Sequence, residues 1–85
     1  DLPTQVRNGG GILYRVVNVA HNDTLNIRDE PGQHGRIVGT VRPDAHGIIV
    51  KGSCNGYWCP VLAGTTSGWV NRYYLALQPM MVSSR

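Results

Sequence analysis

The chain has 85 residues, with eight Lys and Arg against five Asp and Glu and a formal net charge of +3. That length holds one domain with a small core, since folding a chain this short removes only about 60–65 % of its extended surface from water. No apolar run approaches the ~20 residues of a membrane-spanning helix, no cationic cluster marks a nucleic-acid or membrane patch, and the first residues do not read as a signal peptide.

Residues 1–11 read as a flexible tail or linker. Pro3, Asn8 and Gly9-Gly10-Gly11 cannot build a core, and glycines are costly to order. A start at Asp1 rather than Met points to a processed chain or a fragment. Ile12 to Ala20 is the first apolar segment, where Val17 and Val19 alternate with Val16 and Asn18 as in a half-buried strand. His21-Asn22-Asp23-Thr24 is a turn cluster. It leads into Leu25-Asn26-Ile27-Arg28, whose Leu25 and Ile27 point to one face. Asp29-Glu30-Pro31-Gly32 then turns sharply, and Pro31 to Gly35 is a loop.

Arg36 to Val41 is the next strand, with Ile37, Gly39 and Val41 on one face. Gly39 marks a bend or a close backbone approach. After a turn at Arg42–Gly47, Ile48 to Lys51 forms a strand with Ile48 and Val50 inward. Trp58 to Leu62 alternates, Cys59 and Val61 on one face and Trp58, Pro60 and Leu62 on the other. Pro60 has no N–H to donate, so an edge position or a bulge is expected there. Ala63 to Ser67 is a polar turn, Gly68 to Asn71 a strand, Arg72 to Leu75 a single tight helical turn, and Ala76-Leu77 a last short pairing. Residues 78–85 read as a tail. The expected core is Val17, Val19, Leu25, Ile27, Ile37, Val41, Ile48, Val50, Val61, Val70 and Leu75. About five to six short strands without long helical periodicity predict a small barrel or sandwich.

Cys54 and Cys59 flank Asn55-Gly56-Tyr57-Trp58, and Asn55-Gly56 is a strong hairpin signal. A disulfide across the hairpin neck is the favoured reading, because such a loop sets its flanking residues within bridging range. A metal site would need more thiolates or a histidine at finger spacing. A redox pair would need the Cys-x-x-Cys arrangement at a helix start. A bridge implies an oxidising compartment, periplasmic or outside the cell.

No catalytic set emerges. Asp29 and Glu30 are neighbours, so on an extended chain they point to opposite faces and cannot flank one sugar. His21, His34 and His46 lie far apart in predicted loops, so no metal site is expected, and no cofactor. The aromatic residues are more informative: two Trp, four Tyr and no Phe. Each has an apolar body and a polar handle, as recognition surfaces use. Tyr57, Trp58, Trp69, Tyr73 and Tyr74 gather in the second half. Trp58 and Trp69 are out of phase with the core residues Val61 and Val70 of their strands and lean to the opposite face, toward a groove beside the Pro31–Arg36 loop. Asp29 and Glu30 can meet a cationic group there, and Arg28 or Arg36 a carboxylate. Rings that merely seal the barrel ends, and charges that are merely solvated, are the plain alternatives.

Four stretches together resemble the bacterial SH3-like domain family: Leu25-Asn26-Ile27-Arg28 running into Pro31-Gly32, Ile37-Val38-Gly39-Thr40-Val41, Tyr57-Trp58-Cys59-Pro60-Val61, and Gly68-Trp69-Val70 with Tyr74-Leu75. The resemblance covers roughly Tyr14 to Leu77 and departs from the family at Pro60, where a polar residue is more usual. It implies an all-β, five- to six-stranded SH3-like barrel over residues 12–77 with one short 3-10 turn near its C-terminus. It further implies a non-catalytic, exported binding module for peptidoglycan peptides or a protein segment; the scattered charges give no reason to expect a nucleic-acid partner. The expected ligand-binding residues are Trp58, Trp69, Tyr57, Tyr73, Tyr74, Asp29, Glu30 and Arg36. A small periplasmic accessory subunit packed on a larger complex is the alternative.

Overall fold

The computed structural model describes residues 12–78. Seven strands follow one another: β1 (Leu13–Val16), β2 (Leu25–Arg28), β3 (Ile37–Val41), β4 (His46–Val50), β5 (Trp58–Ala63), β6 (Thr66–Asn71) and, after a 3-10 turn at Arg72–Tyr74, β7 (Leu75–Leu77). They form one antiparallel sheet in the order β3-β2-β6-β5-β4-β1-β7. The three-residue β7 takes the number of strands past the expected five to six. Of the tails expected at residues 1–11 and 78–85, all but Gln78 lie outside the described residues, and Gln78 is not tail. Gln78 is bonded into the sheet, its N–H donating to the Leu13 carbonyl at 2.8 Å and its Oε1 accepting from the Gly47 N–H at 2.7 Å.

The sheet curls around Val16, Leu25, Ile27, Ile48, Cys59, Val61 and Val70, all buried. Leu25 and Ile27, and likewise Cys59 and Val61, show the two-residue period of a strand with one dry face. Burying side chains of this size stabilises by about 1.5–3 kcal/mol each. Val19, Val41, Val50, Leu75, Tyr14 and Tyr74 are half-buried and pack against this cluster.

Two expected core positions differ, and each has a cause in strand pairing. In β1 the buried residue is Val16, not Val17. Asn18 takes φ 62 and ends the extended run, so Ile12–Ala20 is not one continuous strand. Ile37 is 48 % exposed. Between Ile27 opposite Gly39 and Arg28 opposite Ile37, Val38 is an extra, unpaired residue. This bulge carries Ile37 to the outer face, which a strict alternation cannot express. A second register shift lies where Tyr14 faces Ile48 and Arg15 faces His46, leaving out Gly47 at φ 76.

Pro60 sits in an interior strand, not at an edge. Its carbonyl accepts from the Lys51 N–H at 2.8 Å, at the end of the β4–β5 ladder. In an antiparallel pair a residue's N–H and C=O face the same neighbour. The missing donor therefore points past the last paired residue of β4, and the β5–β6 ladder runs unbroken from Trp58 to Ala63.

Candidate functional site

The β5 hairpin begins with a tight turn. Asn55 and Trp58 exchange both backbone hydrogen bonds, at 2.7 and 3.0 Å, leaving Gly56 and Tyr57 as the two loop residues. Gly56 takes φ 64 and Tyr57 does not share the positive sign, the pattern of a type II′ turn. Cys54 and Cys59 are joined by a disulfide across the neck, with the Cys59 side buried and Cys54 exposed. The hairpin thus presents Trp58 at the mouth of the curled sheet.

The 3-10 turn supplies the second wall. Asn71 Oδ1 accepts from the Tyr73 N–H at 2.9 Å, satisfying a donor the short helix leaves free. Asn18 Nδ2 donates to the Tyr73 carbonyl at 3.0 Å, and the Val17 N–H donates to the Tyr74 carbonyl at 2.8 Å. The segment leaving β1 is thereby tied to the turn. Asn18 is suited to this, since Asn adopts positive φ more readily than other non-glycine residues.

The third wall is the loop from Asp29 to Arg36. The Asp29 N–H donates to the Arg36 carbonyl at 2.9 Å, and the Arg36 N–H donates to Asp29 Oδ1 at 2.8 Å. Arg28 Nη1 donates to the Gly35 carbonyl at 2.9 Å. A Cβ on Gly35 would lie 2.7 Å from the Glu30 carbonyl oxygen, so the loop closes this tightly only around a glycine. Asp29 is therefore the clasp of the loop.

Between these walls lies a hollow of about 470 Å³. Trp58 and Tyr74 line it beside Asn26 and Arg28 of β2, with Gln33 from the loop and Asn71 from the cap. Its character is an indole and a phenol among carboxamides, the Thr24 hydroxyl, the Asp23 carboxylate and the Arg28 guanidinium, with donors and acceptors for an extended polar chain.

The expected site residues separate into groups. Trp58 and Tyr74 line this hollow. Trp69 lies opposite Pro60 and Arg28, on the same sheet face as Trp58, half-buried and outside the hollow. Tyr57 and Tyr73 line a different hollow with Arg72. Asp29, Glu30 and Arg36 lie exposed on the loop without lining either. Asn18, Asn26, Gln33 and Asn71 were not singled out from the sequence. Only Asn71 carries a local signal, an Asn immediately before a one-turn helix. Among the described residues no group of three or more His, Cys, Asp or Glu converges as a metal site.

A single curled antiparallel sheet, with a one-turn helix walling an aromatic hollow at its mouth, defines a small SH3-like domain. Residues 23–76 match the model of the bacterial SH3 domain family, and the chain belongs to that family. Domains of this family are generally non-catalytic binding modules. Comparison with curated proteins and with solved structures returns no match.

Proposed function

We propose that this domain is a non-catalytic module of an exported protein that docks an extended peptide in the hollow at Trp58. The first candidate ligand is a peptide of cell-wall peptidoglycan; a segment of a protein partner is the other. One observation carries the reading: the Trp58 indole lines one hollow with the carboxamides of Asn18, Asn26, Gln33 and Asn71, of which Asn18 and Asn71 are held by hydrogen bonds to the Tyr73 backbone. Trp58 offers apolar area to a side chain, while the free atoms of Asn18, Asn26 and Asn71 suit successive peptide groups. Export is supported by the Cys54–Cys59 bridge, since disulfides persist in oxidising compartments. Trp69, Asp29, Glu30 and Arg36 act on this reading as the flank and the loop rim of the site.

The test is co-sedimentation with purified cell wall at low salt. Wild type pellets with the wall, and Trp58→Ala lowers its affinity by about tenfold or more, the effect of losing one aromatic anchor. Absence of co-sedimentation removes peptidoglycan as the ligand.

A second reading, an accessory subunit packed on a larger complex, draws on exposed apolar residues at one end of the sheet. Ile12 is 66 % and Leu77 59 % exposed, with Leu13 beside them. Affinity purification from native extract tests it, and recovery of a stoichiometric partner through Leu13 and Leu77 supports it.

A further inference from the structure

Two exposed tyrosines and an arginine stand apart from the Trp58 hollow. The Gly56-Tyr57 turn and the 3-10 turn run side by side, joined by the Arg72 N–H donating to the Tyr57 carbonyl at 2.7 Å. The Arg72 guanidinium carbon lies 5.3 Å from the centroid of the Tyr57 ring. Tyr57 is 64 % and Tyr73 61 % exposed, so among the described residues both rings are largely open to solvent. Behind them opens a hollow of about 300 Å³, floored by Tyr14, Val50, Leu75 and the Cys54–Cys59 bridge. Successive residues of one short turn serve the two hollows: Tyr74 lines the first and Tyr73 the second, their rings meeting edge to face at 5.0 Å.

Three features narrow the ligand. The floor is apolar, so the part of a ligand that fills it must be apolar. Among the described residues, Arg72 is the only charged side chain lining this hollow. The one ion pair among the described residues is Arg42 with Asp44, so no described carboxylate neutralises Arg72. Contact with the Tyr57 ring steadies the guanidinium, and its N–H edge has the planar fork that matches a carboxylate in bidentate fashion.

We propose that this hollow is a second ligand site, distinct from the one at Trp58, for a carboxylate carried on an apolar body. The occupant is the free C-terminal end of a peptide whose last residue is apolar. Its carboxylate pairs with Arg72, and its side chain enters the floor between Tyr57 and Tyr73.

The experiment titrates N-acetyl-leucine into the full chain and follows backbone amide resonances, with the Arg72 side-chain Nε–H as a local reporter. The expected result is saturable shifts at Tyr57, Arg72 and Tyr73. N-acetyl-leucinamide, which lacks the charge, and acetate, which lacks the apolar body, each bind about tenfold more weakly, the worth of one charge-assisted contact or one side-chain burial. Arg72→Gln weakens N-acetyl-leucine by about tenfold on the same grounds, Arg72→Lys recovers only part of the loss, and Trp58→Ala leaves it unchanged. Equal binding of the amide, an unaffected Arg72→Gln, or shifts confined to the Trp58 hollow overturn the proposal. Because Trp58→Ala is the variant for wall binding and Arg72→Gln the variant here, failure of either site is read separately.

Discussion

Gly68 shows how one missing side chain permits the curl of the sheet. A Cβ there would lie 2.5 Å from Ile27 Cγ2 and 2.6 Å from the Arg28 carbonyl oxygen, so β2 and β6 approach this closely only at a glycine. Gly64 differs: it has φ 63 and open space around its missing Cβ. Gly68→Ala is expected to cost about 3 kcal/mol, the upper end of overpacking, with backbone displacement of β2. Gly64→Ala strains only the backbone, by about 1–2 kcal/mol. Urea denaturation of the two variants measures the order; a Gly64 variant that is the less stable contradicts it. Asp29 makes a further residue-scale case. Asp29→Ala frees the Arg36 N–H and loosens the loop for about 1 kcal/mol. Faster hydrogen exchange at Arg36, with Ile27 still protected, is the expected signature.

At the scale of elements, the β5 hairpin depends on its bridge. The disulfide spans a sequence separation of five and closes a small loop. In the chain-entropy model that closure stabilises by about 2 kcal/mol, a large share for a domain whose stability is a few kcal/mol. Reduction is therefore expected to lower the urea midpoint clearly. It also releases the Gly56-Tyr57 turn, so Tyr57 loses its fixed place over Arg72 and N-acetyl-leucine binding weakens before the core opens. Denaturation and titration with and without reductant check both statements. The bulges are the other lesson here. Leu25, Ile27, Val61 and Val70 were legible as core because their strands keep a plain two-residue alternation. Ile37 was not, because Val38 shifts the phase of β3, and only the pairing with β2 decides where an extra residue goes. Neither the edge position nor the bulge expected for Pro60 is found, for a similar reason: what matters is where its absent donor points, and that is a property of the neighbouring ladder.

At the scale of the whole molecule, the 3-10 turn joins everything that bears on function. Tyr73 has both backbone groups held by asparagine side chains, its N–H by Asn71 and its carbonyl by Asn18. Tyr73 and Tyr74 then face separate hollows. Asn71→Ala removes the cap, with an expected cost of about 1 kcal/mol in stability. Its effect on binding is expected to exceed that cost, because both hollows lose a wall: wall co-sedimentation and N-acetyl-leucine titration fall together. A variant that loses one and keeps the other separates the two sites mechanically.

Local order was readable from residues alone. Alternation marked the strands, glycines and Pro31 marked the turns, the two cysteines marked a hairpin neck, and four motifs in order pointed to an SH3-like barrel. These are short-range signals, set by backbone geometry and by which side chains avoid water. The division of the aromatic residues between two hollows was not readable, nor were the burial of Val16 in place of Val17 and the asparagines that hold Tyr73. Each depends on which strand lies beside which, and in what register, and that is decided when the whole sheet closes on one core.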